Sequence, residues 1–169
     1  MTNQLPYLHG YPAQIVAQAT ELLANDKLAK YLLARYPSCH QITTEKELYL
    51  YVQGIKNQYL KQSTPISKVI FDDKIHVINN ALGTHTYVSR VQGKKLKAKR
   101  EIRIAKVFKK VPLPFLSMIV VHELAHTREK EHNKAFYKLC QYMEPDYFQL
   151  ELDLRLYLTQ LQEKGPIYP

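Results

Sequence analysis

Three histidines and one glutamate stand close together in the segment "VVHELAHTREKEH", residues 120–132. His122 and His126 are four residues apart, so a helix would place both imidazoles on one face, one turn from each other. Two imidazole nitrogens can then bind one zinc ion through bonds of about 2.0–2.1 Å. Glu123 is rotated about 100° around the same helix and suits the role of a base better than that of a ligand. This HExxH pattern is typical of zinc hydrolases.

A third zinc ligand must come from outside this helical turn, because catalytic zinc usually has three protein ligands and one water. His132 is the first candidate, six residues after His126. A straight helix would turn His132 away from the other two histidines, so we expect the helix to end at about residues 127–129 and the chain to turn back. Glu151, farther along the chain, is the alternative third ligand.

The composition predicts a single domain over residues 1–169 that is cytoplasmic, with no membrane span. Only two cysteines occur, Cys39 and Cys140, far apart in sequence, which is typical of a reducing compartment. The longest apolar run is too short for a bilayer. The formal net charge is +9, and between Arg90 and Lys110 the only acidic residue is Glu101. This basic segment predicts contact with an anionic partner, and nucleic acid is one candidate.

The periodicity of apolar residues predicts an α+β fold. Helices are expected in a helical N-terminal part, residues 1–64, where Thr44 and Glu47 have the spacing of a capping box. A small antiparallel sheet of three to four strands is expected next, and it includes a hairpin around residues 92–95. The zincin active-site helix and C-terminal helices follow, so the catalytic core spans about residues 65–163.

The segment "IVVHELAHTREKEHNKAFYKLCQYMEPDY", residues 119–147, resembles the YgjP-like metallopeptidase domain, a zincin family related to SprT-like proteases. The family pattern maps onto His122, Glu123, His126, His132, Phe136 and Pro145-Asp146-Tyr147. The resemblance implies a zinc metallopeptidase that cleaves a peptide or protein substrate. In that mechanism the three histidines hold Zn²⁺, and Glu123 is the general base that activates water.

Several supporting roles remain open in the sequence. The candidates for stabilising the oxyanion are Tyr142, Tyr147 and His85. The candidates for orienting the zinc-bound imidazoles are the carboxylates of Glu144, Glu151 and Asp153.

The zinc ion and Glu123 do not select the electrophile, so other functions compete with the peptidase. One is a zinc hydrolase of a non-peptide anionic substrate, such as a nucleotide phosphoanhydride. A second is a SprT-like protease that associates with nucleic acid through the basic segment. A third is a zinc domain without catalysis, which would need a fourth protein ligand and no base.

Overall fold

The computed structural model describes the backbone of residues 5–75, 83–92 and 95–169, and the side chains of residues 5–75 and 100–169. Three helices form the N-terminal part: α1 (Ala13–Ala24), α2 (Leu28–Arg35) and α3 (Glu45–Tyr59). The predicted capping box is present at the start of α3. The Glu47 N–H donates to Thr44 Oγ1 over 3.1 Å, and the Thr44 N–H donates to Glu47 Oε1 over 3.3 Å.

Three strands form one mixed sheet in the order β1-β3-β2, with β1 at Ile66–Asp72, β2 at Gly83–Gln92 and β3 at Lys95–Ala105. The predicted hairpin is the antiparallel β2–β3 pair. The expectation of a wholly antiparallel sheet is wrong, because β1 pairs in parallel with β3. After β1 the chain crosses to the far edge before it returns through the centre, and strand periodicity carries no information on such a crossover. A further strand expected at residues 74–78 falls mostly outside the described residues.

The helix that carries the HExxH pattern is α4 (Leu113–Ala125), the most deeply buried helix of the C-terminal part. Pro112 is the N-cap of this helix, and a second proline, Pro114, lies in its first turn. Nine of its 13 residues are buried, since α4 contacts the sheet on one side and neighbouring helices on the other. Ile102 and Ile104 of β3 are fully buried in the same core. The apolar sequence of this helix is therefore explained by contact with other elements on nearly every face.

The end of α4 and the two following helices complete the fold. The helix ends at Ala125, and the N–H groups of Arg128 and Glu129 both donate to the Ala125 carbonyl, which reverses the chain. Asn133 then caps α5 (Lys134–Met143) by accepting from the Phe136 N–H over 2.9 Å. The last helix, α6, runs from Tyr147 to Lys164. The active-site helix thus ends before His132, as predicted, but at Ala125 rather than at residues 127–129.

The predicted α+β class is confirmed by these helices and the sheet. Within the described part of the chain, no helix is both long and apolar enough to cross a membrane. The single domain over residues 1–169, with its boundary near residue 64, and the cytoplasmic location stay predictions.

Candidate metal centre

The structure brings the three predicted histidines together at the end of α4. His122 lies in the last turn of that helix, His126 is its C-cap, and His132 lies on the exposed loop before α5. One ring nitrogen from each histidine can be chosen so that all three lie within 4.8 Å of one another. The Nε2 atoms of His126 and His132 are only 3.1 Å apart. Glu151, the alternative third ligand, is not part of this cluster.

The hydrogen bond at His126 shows that the donor set fits a metal ion. His126 Nδ1 lies 2.9 Å from the Glu129 carbonyl oxygen, which can only accept, so Nδ1 carries the proton. The lone pair of His126 is therefore on Nε2 and faces His132. A cation between these nitrogens would satisfy both, and imidazole nitrogen is a common ligand for divalent transition metals.

The surroundings of His122 and His126 keep these two imidazoles neutral, as metal binding requires. Burial lowers the pKa of His122 to about 3, and repulsion from His126 and His132 contributes in the same direction. Burial also lowers the pKa of His126. Both imidazoles therefore offer lone pairs at neutral pH without first losing a proton.

Glu123, the predicted base, follows His122 on α4 and is only 1% exposed. Burial raises its pKa to about 8. A buried carboxyl beside a cluster of imidazoles is a feature of catalytic sites, because such groups lose protons only when a nearby positive charge or a reacting molecule favours it. The structure thus places a buried titratable group of the expected type next to His122 on α4.

Phe136 of α5 forms an apolar wall against all three imidazoles. Its ring centroid lies 4.9 Å from His122, 4.5 Å from His126 and 4.9 Å from His132, and its side chain is fully buried. The sequence marked Phe136 only through the family pattern. The α5 N-cap at Asn133 fixes the start of this helix and thereby the position of the ring.

The predicted orienting carboxylates have other partners. Glu144 accepts from Ser117 Oγ over 3.4 Å, Asp153 accepts from Tyr31 and Tyr36, and Glu151 accepts from the Tyr11 hydroxyl over 3.3 Å. The atoms that contact the Nδ1 positions are instead the Tyr147 hydroxyl, 2.8 Å from His122, and the Glu129 carbonyl. No sequence rule relates residue 147 to residue 122, and a backbone carbonyl leaves no mark on the sequence.

The three oxyanion candidates have different outcomes. Tyr147 contacts His122 directly, as described above. Tyr142 is 61% exposed and packs edge-on against Tyr59 with the ring centroids 5.4 Å apart. The side chain of His85 lies outside the described residues, as do five of the ten basic side chains from Arg90 to Lys110. The predicted nucleic-acid contact is therefore untested by the structure.

Comparison with known proteins gives two matches. A family model described as "YgjP-like, metallopeptidase domain" matches residues 93–157. A protein of Escherichia coli (strain K12) named UTP pyrophosphatase is 59% identical over 159 residues, which is 94% of this chain and 95% of the relative. No solved structure is similar enough to match.

These matches overturn the expected peptidase and its peptide or protein substrate. The relative shares most of its sequence with this chain, and its name is that of a nucleotide hydrolase. The expectation failed because HExxH specifies a metal, a water and a base, and this set can attack phosphorus as well as a carbonyl carbon. The SprT-like protease alternative is wrong for the same reason. The coarser prediction, a metal-dependent hydrolase, is confirmed.

Proposed function

The chain belongs to the YgjP-like metallopeptidase domain family, and within it we propose a metal-dependent nucleotide hydrolase whose substrate is UTP. The main support for this substrate is the 59% identity, over 94% of the chain, to UTP pyrophosphatase. In the proposed reaction water adds to the α-phosphorus of UTP, the bond from that phosphorus to the bridging oxygen breaks, and UMP and pyrophosphate form. The family description contains the word metallopeptidase, but that family model matches only residues 93–157. It is therefore weaker evidence for the substrate than the relative, which matches 94% of the chain.

His122, His126 and His132 are the proposed metal ligands. We propose Zn²⁺, because three imidazoles with one remaining position is a common arrangement of catalytic zinc. Zinc would supply Lewis-acid chemistry, which polarises phosphoryl oxygens and makes water a stronger nucleophile. The neutral state of His122 and His126 and the 3.1 Å approach of two Nε2 atoms support this assignment.

Glu123 is the proposed general base. In this role its carboxylate accepts one proton from the attacking water, a transfer that typically contributes about 10²–10⁴-fold to the rate. Its 1% exposure supports the role, because bulk water cannot screen its charge or compete for its oxygens. The Phe136 wall excludes water from the adjacent face of the histidine cluster.

Positive charge on the sheet suits a triphosphate. Ten basic residues and one acidic residue lie between Arg90 and Lys110. Residues 90–92 of this segment end β2 and residues 95–105 form β3, and both strands contact α4, which carries His122 and Glu123. An anionic substrate would be attracted to the helix that bears the metal ligands by charges on the neighbouring strands.

The test compares the wild type with Glu123→Gln, His126→Ala and a control, Glu163→Gln, whose side chain is exposed on α6. Elemental analysis gives the metal content, and anion-exchange chromatography follows UTP, UMP and pyrophosphate, with ATP, CTP, GTP and an unfolded protein as comparison substrates. We expect about one zinc per chain in all but His126→Ala. We also expect a kcat for Glu123→Gln lower by about 10²–10⁴-fold. Zinc-loaded wild type that leaves UTP intact would refute the proposed substrate, and undiminished turnover by Glu123→Gln would refute the proposed base.

A further inference from the structure

The hydroxyl of Tyr147 is the direct hydrogen-bond partner of His122 Nδ1. It lies 2.8 Å from His122 Nδ1, and the side chain of Tyr147 is fully buried. Tyr147 is the first residue of α6, whereas His122 is on α4. The two rings are nearly parallel, with an interplanar angle of 17°. One hydrogen bond thus joins the start of α6 to the metal centre.

The direction of this hydrogen bond decides whether His122 can bind a metal through Nε2. A neutral imidazole carries its proton on one nitrogen and a lone pair on the other. If Nδ1–H donates to the Tyr147 oxygen, the lone pair is on Nε2. If the hydroxyl donates to Nδ1 instead, the proton is on Nε2 and that nitrogen cannot be a ligand. The tautomer of His122 therefore depends on which group accepts the hydrogen bond from the Tyr147 hydroxyl.

The Glu151 carboxylate is a suitable acceptor for the hydrogen bond from the Tyr147 hydroxyl. Tyr147 and Glu151 are four residues apart at the start of α6, so their side chains lie on the same face of the helix and the hydroxyl can donate to the carboxylate. The raised pKa of Tyr147 agrees with this contact, since Glu151 is among its causes after burial. Glu151 lies one turn further along α6. The Cys140 thiol is another neighbour of this hydroxyl, but a thiol is a weaker acceptor than a carboxylate.

Glu151 is itself held in place by groups from a distant part of the chain. The Tyr11 hydroxyl donates to Glu151 Oε1 over 3.3 Å, and Arg155 Nε lies 3.6 Å from the same oxygen. Arg155 Nη1 also donates to the Tyr7 carbonyl over 3.0 Å. These contacts restrict the orientation in which the Glu151 carboxylate faces Tyr147.

We propose that Tyr147 and Glu151 are positioning residues that hold His122 in the tautomer with its lone pair on Nε2. The hydrogen bonds run from His122 Nδ1–H to the Tyr147 oxygen and from the Tyr147 hydroxyl to the Glu151 carboxylate. Partners of this kind, one step outside the ligands, commonly contribute 10–100-fold to metal affinity. The inference rests on the metal-ligand part of the proposed function and is independent of the substrate.

Tyr147→Phe is the decisive variant, because it removes the hydroxyl and keeps the ring. Tyr137→Phe is the matched control, since it removes a hydroxyl from the same aromatic cluster, where the Tyr137 ring lies 6.3 Å from that of Tyr147. Zinc affinity is measured on zinc-free protein by competition with a chelator of known affinity. We expect binding about 10–100-fold weaker in Tyr147→Phe and unchanged in Tyr137→Phe. Glu151→Gln should lose less, because an amide oxygen still accepts but carries no charge.

A second measurement detects the tautomer without any metal. Nitrogen-15 NMR of histidine in the zinc-free protein distinguishes Nδ1–H from Nε2–H. We expect His122 to be Nδ1–H in the wild type and in Tyr137→Phe, and a mixture in Tyr147→Phe. Circular dichroism checks that each variant is folded. Zinc affinity within twofold of wild type, or weaker affinity with an unchanged His122 tautomer, would overturn the proposal. Failure of wild type to hydrolyse UTP would refute only the proposed substrate.

Discussion

Phe136 connects the stability of the fold to the geometry of the metal centre, so its replacement gives a sharp prediction. Its fully buried ring contacts the three imidazoles at centroid distances of 4.5–4.9 Å and Tyr137 at 5.1 Å. Phe136→Ala removes the ring and leaves a cavity between α4 and α5. Phe136→Leu fills most of that space but loses the flat face on which the imidazoles rest.

The magnitudes follow from these contacts. Truncation of a buried Phe to Ala typically costs about 3–5 kcal/mol of unfolding free energy, and the full burial of Phe136 places it in that range. For Phe136→Leu we expect a smaller loss of about 1–2 kcal/mol, since changes that nearly conserve volume usually cost below ~1.5 kcal/mol and the loss of aromatic contact adds to this. Because Leu leaves the imidazoles free to tilt, zinc affinity should fall in Phe136→Leu although the protein stays folded.

The assay is urea unfolding of zinc-free protein followed by circular dichroism, with free energies from linear extrapolation. Phe148→Ala is the control, because Phe148 is 48% exposed and contacts none of the three histidines through its ring. If Phe136→Ala costs no more than Phe148→Ala, the ring is not the support that the structure indicates. Zinc binding by Phe136→Leu equal to wild type would refute the link between this support and the metal centre.

Two further predictions concern the core away from the histidines. Asp153 is fully buried and accepts hydrogen bonds from Tyr31, Tyr36 and Gln149, so Asp153→Ala should lower the free energy of unfolding by about 3–5 kcal/mol in the same urea assay. Glu163→Ala, on the exposed face of α6, should change it little, and a loss below about 1 kcal/mol for Asp153→Ala would contradict the importance of these hydrogen bonds. Burial raises the pKa of the Cys140 thiol to about 12 and also raises that of Cys39, so at pH 8 both thiols should be protonated and react slowly with a thiol reagent in the native protein. Both should react fully in denaturant, and rapid labelling of Cys140 in the native protein would show that the structure around it opens.

The features that the sequence predicted correctly depend on neighbours within a few residues. The capping box of Thr44 and Glu47 and the shared face of His122 and His126 are both set by helical spacing. The early end of α4 followed from the requirement that His132 reach the same ion, although residues 127–131 contain no Gly or Pro. In each case a local rule and the requirement of the site pointed to the same conformation.

The features that the sequence missed depend on distant pairs. The parallel pairing of β1 with β3 follows from the crossover between β1 and β2, and no periodicity encodes it. The contact between Tyr147 and His122 depends on how the start of α6 docks on the end of α4. Carboxylates were expected beside the histidines because they are common there, yet the atoms that contact the two Nδ1 positions are the Tyr147 hydroxyl and the Glu129 carbonyl.

The error about the substrate has a different origin, because the three predicted histidines do lie together and the error concerns the electrophile. Three imidazoles and a buried carboxyl prepare a nucleophile, and nothing in that set distinguishes a carbonyl from a phosphoryl group. Selection must come from groups that contact the rest of the substrate. Most of α4 is buried and cannot make such contacts, so they fall to elements beside its C-terminal end. The strand β3 contacts α4 and carries five of the ten basic residues from Arg90 to Lys110, a charge that would attract the proposed triphosphate more strongly than a neutral peptide. Under the proposed function, the metal centre would determine how the bond is broken, and the charge of the adjacent strand would favour an anionic substrate.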